Sequence, residues 1–102
     1  LDSNDWAAKE DTWLHKDIWQ KAWDSSTSDL PELITQEIDW ADNVSVFFCY
    51  ESHKIIETTW AVFKRNWKNF LFFDDSPLLI ARKKKQAVQF FQDGTFAIGK
   101  MP

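Results

Sequence analysis

Asp93-Gly94 stands between two runs of strand character, Gln86–Gln92 and Thr95–Gly99. Glycine reaches positive φ without steric cost, and Asp-Gly between alternating runs is a strong hairpin signal. A lone hairpin is marginal in water and needs more strands or a packed helix. The C-terminal third therefore commits the chain to a sheet, and the rest must extend or cover it. A competing reading continues Lys83–Phe91 as a helix with Ala87, Val88 and Phe91 on one face.

Further strands are legible upstream. Val44 to Tyr50 is dense in β-branched and aromatic residues, and Lys54 to Thr58 is its expected partner. Leu78 to Arg82 reads as another strand, and Phe70 to Phe73 as a short one. Asp74-Asp75-Ser76-Pro77 has the composition of a turn. Between them, Trp60, Phe63 and Trp67 recur at i, i+3 and i+7, the spacing of one helix face. Thr58 or Thr59 supplies the N-cap. The expected core is Trp60, Phe63, Trp67, Phe70, Phe72, Val88, Phe90 and Ile98.

The first forty residues read as helical. Leu14, Ile18 and Ala22 recur every four residues with Trp19 and Trp23 beside them, predicting a helix from Thr12 to Asp24. Trp6 and Trp13 extend that stripe if the helix begins near Asn4. Ser25-Ser26-Thr27-Ser28 ends it. Asp29 with Glu32 has capping-box spacing, with Pro31 in the first turn. Leu30, Leu33, Ile34 and Ile38 then face inward from a second helix ending near Trp40.

Composition narrows function. At 102 residues the chain holds one modest core. Its two glycines, Gly94 and Gly99, exclude glycine-rich phosphate cradles. A single cysteine, Cys49, excludes an intrachain disulfide and multi-cysteine metal sites. No apolar run approaches the ~18 residues of a membrane span. The start, Leu1-Asp2-Ser3-Asn4, lacks both a methionine and a signal-peptide pattern, so either a segment has been removed or the residues belong to a longer polypeptide, and the lone cysteine makes a cytoplasmic location the expectation.

Charge is uneven. Residues 1–51 carry twelve acids against three bases, a net −9. Residues 52–102 carry nine bases against four acids, a net +5. The halves can neutralise each other within the fold, pair between subunits, or leave the basic half for an anionic partner. Arg82, Lys83, Lys84 and Lys85 form one charge run at an expected turn, where cations either contact phosphates or guard a sheet edge. With Lys64, Arg65 and Lys68 they are the candidate anion-binding residues.

Ile56-Glu57-Thr58-Thr59-Trp60, Phe63 through Phe70, and Phe90-Phe91 with Asp93-Gly94 resemble an uncharacterised gammaproteobacterial family known as domain of unknown function 2947. The likeness runs from about Trp13 to the C-terminus and is densest from Phe47 onward. It implies a bacterial, cytoplasmic protein whose relatives extend further at the N-terminus. It assigns no catalytic residue.

The residues able to carry chemistry are few. His15 lies four residues after Asp11, which can orient an imidazole, but two groups do not make a metal site. Cys49 and His53 are close in sequence, yet a cysteine within an aromatic run has a raised pKa and is inert. Asp74 and Asp75 could hold a metal only if their loop turned sharply enough to bring them together. Seven tryptophans and nine phenylalanines exceed what a chain this short can hide. An apolar patch for a partner or a second copy is expected, with Trp6 and Trp13 as its residues.

The expectation is a single α+β domain over residues 1–102. N-terminal helices pack on an antiparallel sheet of four or five strands with a C-terminal β-hairpin. The function expected is a non-enzymatic protein-interaction module without cofactor or metal, binding a protein partner or itself as a homodimer. The alternatives are weak nucleic-acid binding through the basic hairpin and a metal-dependent hydrolase using Asp74 and Asp75.

Overall fold

A computed structural model describes residues 5–102. Six antiparallel strands form one sheet: β1 (Trp13–Ile18), β2 (Ser45–Tyr50), β3 (Lys54–Thr59), β4 (Leu78–Ala81), β5 (Gln86–Phe90) and β6 (Thr95–Lys100). Their order is β1-β6-β5-β4-β2-β3, so β1 and β3 are the edges. Three α-helices accompany them: α1 (Gln20–Asp24), α2 (Glu32–Glu37) and α3 (Trp60–Leu71). The α+β class holds, with six strands rather than four or five, and with helices distributed along the chain.

The hairpin forms as expected. Val88 pairs with Ile98 and Phe90 with Phe96, and Gly94 takes φ +92° at the turn. Asp93 Oδ1 accepts from Thr95 N at 3.0 Å and from Thr95 Oγ1 at 2.6 Å. These bonds hold its carboxyl below the usual carboxylate range. The competing helix over Lys83–Phe91 does not occur. Arg82–Lys84 is a short 3-10 turn, and Lys85 closes it in the left-handed region at φ +53°.

The long helix expected over Thr12–Asp24 is corrected. Trp13–Ile18 is instead the edge strand β1, paired with β6 from Trp13↔Gly99 to Ile18↔Thr95, with an irregularity between Trp13 and His15. Only Gln20–Asp24 is helical. Leu14 and Ile18, the anchors of the supposed stripe, are 54% and 50% exposed. Their four-residue spacing corresponds to no packed face. The start proposed near Asn4 lies outside the described residues.

Two further local expectations fail. The capping box does not form: Pro31 holds the N-cap position of α2, and no side chain caps it. Ile34 N bonds Pro31 O instead, while Glu32 Oε1 accepts from Gln36 Nε2 at 3.0 Å. Phe70–Phe73 is not a strand, because α3 continues through Leu71. Phe63, Trp67 and Phe70 follow at i, i+4 and i+7, and that face packs on the sheet.

The helical face of the sheet carries the main core. Val46, Phe48, Leu79, Val88, Phe90, Phe96 and Ile98 meet Ile34, Trp60, Phe63 and Trp67. Burying each such side chain contributes roughly 1.5–3 kcal/mol. Thr59 Oγ1 accepts from Val62 N at 3.3 Å, the expected cap of α3. Trp67 Nε1 donates to Ser28 O at 3.0 Å, and Trp40 Nε1 to Gln86 Oε1 at 2.7 Å, so these buried indoles are satisfied.

The opposite face has a smaller cluster of Leu78, Ile80 and Ala87, covered by Trp6, Ala7 and Trp13. Thr12 Oγ1 donates to Trp6 O at 2.6 Å and Trp13 Nε1 to Ala7 O at 2.9 Å, folding the N-terminal segment onto the sheet. Gly99 permits that approach. A Cβ there would stand 2.5 Å from Thr12 O and 2.6 Å from Trp13 Cε3.

Candidate interaction surface

The strand order brings one set of loops to a single end of the sheet. The end of β1, the β5–β6 turn, the segment from α3 to β4 and the β2–β3 turn all lie there. Phe72 and Phe73 occupy that end. They follow the last residue of α3, and Phe72 N bonds Asn69 O at 3.2 Å. Phe72, expected in the core, is 77% exposed, and Phe73 is 50% exposed. Phe72 comes two residues after the inward Phe70, about 200° further round a helix, so its ring leaves on the solvent side.

The exposed rings are braced by partly buried ones. Phe72 lies edge-on to Trp23 with centroids 5.1 Å apart. Trp23 in turn meets Trp19 at 5.6 Å and the buried Trp67 at 6.0 Å. Phe73 stands 5.3 Å from Tyr50. Trp19 is pinned by its Nε1 bond to Phe91 O at 3.0 Å. It lines a cleft of about 110 Å³ with Leu71, Asp74, Asp75 and the exposed Phe91. The patch is therefore continuous from Phe91 and Trp19 through Trp23 to Phe72, with Trp23 in turn against the buried Trp67.

Carboxylates border it. Asp74 Oδ2 accepts from Glu51 N at 2.9 Å and its Oδ1 from Asp75 N at 2.8 Å. Both oxygens of Asp74 thus serve the turn. Among the described residues, no group of three His, Cys, Asp or Glu side chains is placed to hold a metal ion. Asp75 is exposed and lines the cleft, while Asp24 accepts from Gln20 Nε2 at 3.2 Å.

The basic residues are arranged differently. Lys64 pairs with Asp42 Oδ1 at 2.7 Å, which depresses the Asp42 carboxyl. Lys68 Nζ donates to Ser25 O at 2.9 Å and Thr27 O at 2.8 Å. Arg65 is exposed near Ser28 and Glu32. Arg82, Lys83, Lys84 and Lys85 are all exposed at the end of the sheet opposite Phe72. Arg82 lies over the Phe47 ring at 5.5 Å, on the face away from α3. Of the candidate cations, Lys64 and Lys68 are thus engaged within the fold, and Arg82 lies against the face that α3 does not cover.

The other singled-out residues are placed as follows. His15, expected beside Asp11 on a helix, sits on β1 with Nε2 2.8 Å from Glu37 Oε1 of α2. Cys49 is half-buried on β2, and burial pushes its thiol up. His53 is exposed in the β2–β3 turn, with Nδ1 3.3 Å from Ser52 Oγ. Trp6 and Trp13, the residues of the expected apolar patch, pack on the sheet, with ring centroids 6.2 Å apart.

The family described as Protein of unknown function (DUF2947) matches residues 1–99. The chain belongs to the DUF2947 family. No curated protein matches the chain, and no solved structure does. Among the described residues, no helix is long and apolar enough to cross a membrane.

Sequence reasoning missed the Phe72–Trp23 patch. Large aromatics beside a core helix default to the core, and Phe72 was assigned there. The available signal was an excess: with Phe63, Trp67 and Phe70 on the inward face, Phe72 has no place on it.

Proposed function

We propose that this DUF2947 protein is a non-enzymatic protein-interaction module whose docking surface is the aromatic end built on Phe72, Phe73 and Trp23. On this reading it works in the cytoplasm of a gammaproteobacterium. The observation that carries it is the 77% exposure of Phe72 beside Trp23, with Phe73 half exposed next to it. Rigid aromatic side chains are enriched among residues that dominate binding energy. Contiguous exposed apolar patches mark interaction sites. Trp6 and Trp13, the first candidates, have their rings engaged with each other and with the sheet. The proposed surface therefore lies at the other aromatic group.

The test is photocrosslinking in cells with benzoylphenylalanine in place of Phe72. The reading expects a discrete adduct that is lost when Phe73→Ser is added. Adducts no stronger than those from the same group at the exposed Gln36 would overturn it.

A further inference from the structure

We infer that the aromatic end takes a cationic polypeptide segment, one in which lysine or arginine side chains alternate with apolar ones. This rests on the interaction-module reading and names the chemistry of its partner. The aromatic rings and the acids belong to one surface. Asp74 and Asp75 line the same cleft as Trp19 and Phe91, and Trp19 meets Trp23, whose ring braces Phe72. Aromatic rings flanked by carboxylates suit a cation with an apolar stem. The ring accepts the cation over its face, the carboxylate pairs its charge, and the stem covers apolar surface.

Acids outnumber cations around the two hollows that Phe91 lines: Asp17, Asp74, Asp75 and Asp93 against Lys16. Lys54 is paired with Glu51 at 3.2 Å, Lys16 shares the hollow beside Phe91 with Asp17 and Asp93, and Lys68 keeps its charge but is turned to the carbonyls of Ser25 and Thr27. Lys21 comes two residues before Trp23, about 200° around α1. An anionic segment would meet uncompensated like charge here, whereas a cationic one is steered in.

The chain has a cationic stretch of its own, Arg82–Lys85, at the far end of the sheet. That run, Arg82-Lys83-Lys84-Lys85, has no apolar side chain between its cations, so a second copy would bring charge without the apolar partners that the exposed rings take. The separate partner segment is therefore the occupant proposed, and the second copy is an outcome of the test.

The experiment is fluorescence anisotropy with three labelled peptides: alternating arginine and leucine, the same with glutamate for arginine, and the same with serine for arginine. Wild-type protein is compared with Phe72→Ser and with Asp75→Asn, and far-UV circular dichroism confirms folding. The arginine peptide is expected to bind at least tenfold more tightly than either of the others. Each variant is expected to lose about tenfold of that affinity, and added salt to weaken it. Equal, Phe72-dependent binding of the serine peptide would overturn the cationic partner while leaving the interaction surface standing. Binding of no peptide, together with no crosslink from position 72, would overturn both. Concentration-dependent self-association in sedimentation, as a closed dimer, a ring or a growing chain, abolished by Lys83→Ser/Lys84→Ser/Lys85→Ser, would identify the occupant as a second copy and overturn the separate partner.

Discussion

Phe72 meets the edge of Trp23 at 5.1 Å and 65°, and Trp23 meets Trp67 at 6.0 Å and 73°. An exposed ring is thus connected to a fully buried one through a single intermediate tryptophan. The outer member of this series faces water and the inner member supports the fold, so their substitutions separate surface from core.

Trp67→Ala is expected to cost about 3–5 kcal/mol, because it removes a fully buried indole and orphans the Ser28 carbonyl it bonds. Phe72→Ser is expected to stay within about 0.5 kcal/mol of the parent, as exposed substitutions usually do. Urea denaturation followed by tryptophan fluorescence measures both. Similar midpoints for the two variants would contradict the placement of these rings.

Gly99→Ala is expected to destabilise by about 1–3 kcal/mol, the usual cost of overpacking. The new methyl would meet the Thr12 carbonyl, which is backbone and cannot swing aside. Hydrogen exchange should show the loosening at β1 and β6 while α3 keeps its protection. A variant as stable as the parent, with β1 unperturbed, would mean that the N-terminal segment does not lie across Gly99.

Lys83→Ser/Lys84→Ser/Lys85→Ser is expected to leave stability nearly unchanged, within about 0.5 kcal/mol per site. All three are exposed and form no ion pair among the described residues. Lys85 holds φ +53°, so serine there keeps the same strained backbone rather than relieving it. Thermal melting at low salt is the check, and a drop of many degrees would show that these side chains hold the fold.

Acid should weaken the hairpin through Asp93. Its folded pKa is depressed by the Thr95 hydroxyl and amide. A depressed carboxyl contributes stability fully above its unfolded value, near ~4, and loses it as pH falls through the lower folded value. Asp42, held down by Lys64, acts in the same direction. Asp93→Asn should therefore flatten the acid limb of the stability profile below about pH 5. An unchanged acid limb would contradict the bonds from Thr95.

The second half of the chain was largely legible because its signals are local. Asp93-Gly94, the Thr59 cap and the Trp60–Phe63–Trp67 face each act within a few residues. The edge strand was not legible. Trp13–Ile18 pairs with residues about eighty positions downstream, and a strand exposed along most of its length lacks the apolar alternation that would announce it. Leu14, Ile18 and Ala22 then offered helical spacing without a helix. The basic cluster was legible as exposed. That Lys64 and Lys68 are engaged within the fold depends on Asp42 and the Ser25–Thr27 loop, which sequence spacing does not bring near them.

The central claim is that partners dock at Phe72 and Trp23. It is tested most directly by the indole N–H resonances of the labelled protein during titration with the arginine–leucine peptide. Trp19 and Trp23 are expected to shift progressively, while Trp40, Trp60 and Trp67 remain in place because they are buried. Shifts confined to Trp6 and Trp13, on the opposite face of the sheet, would contradict it.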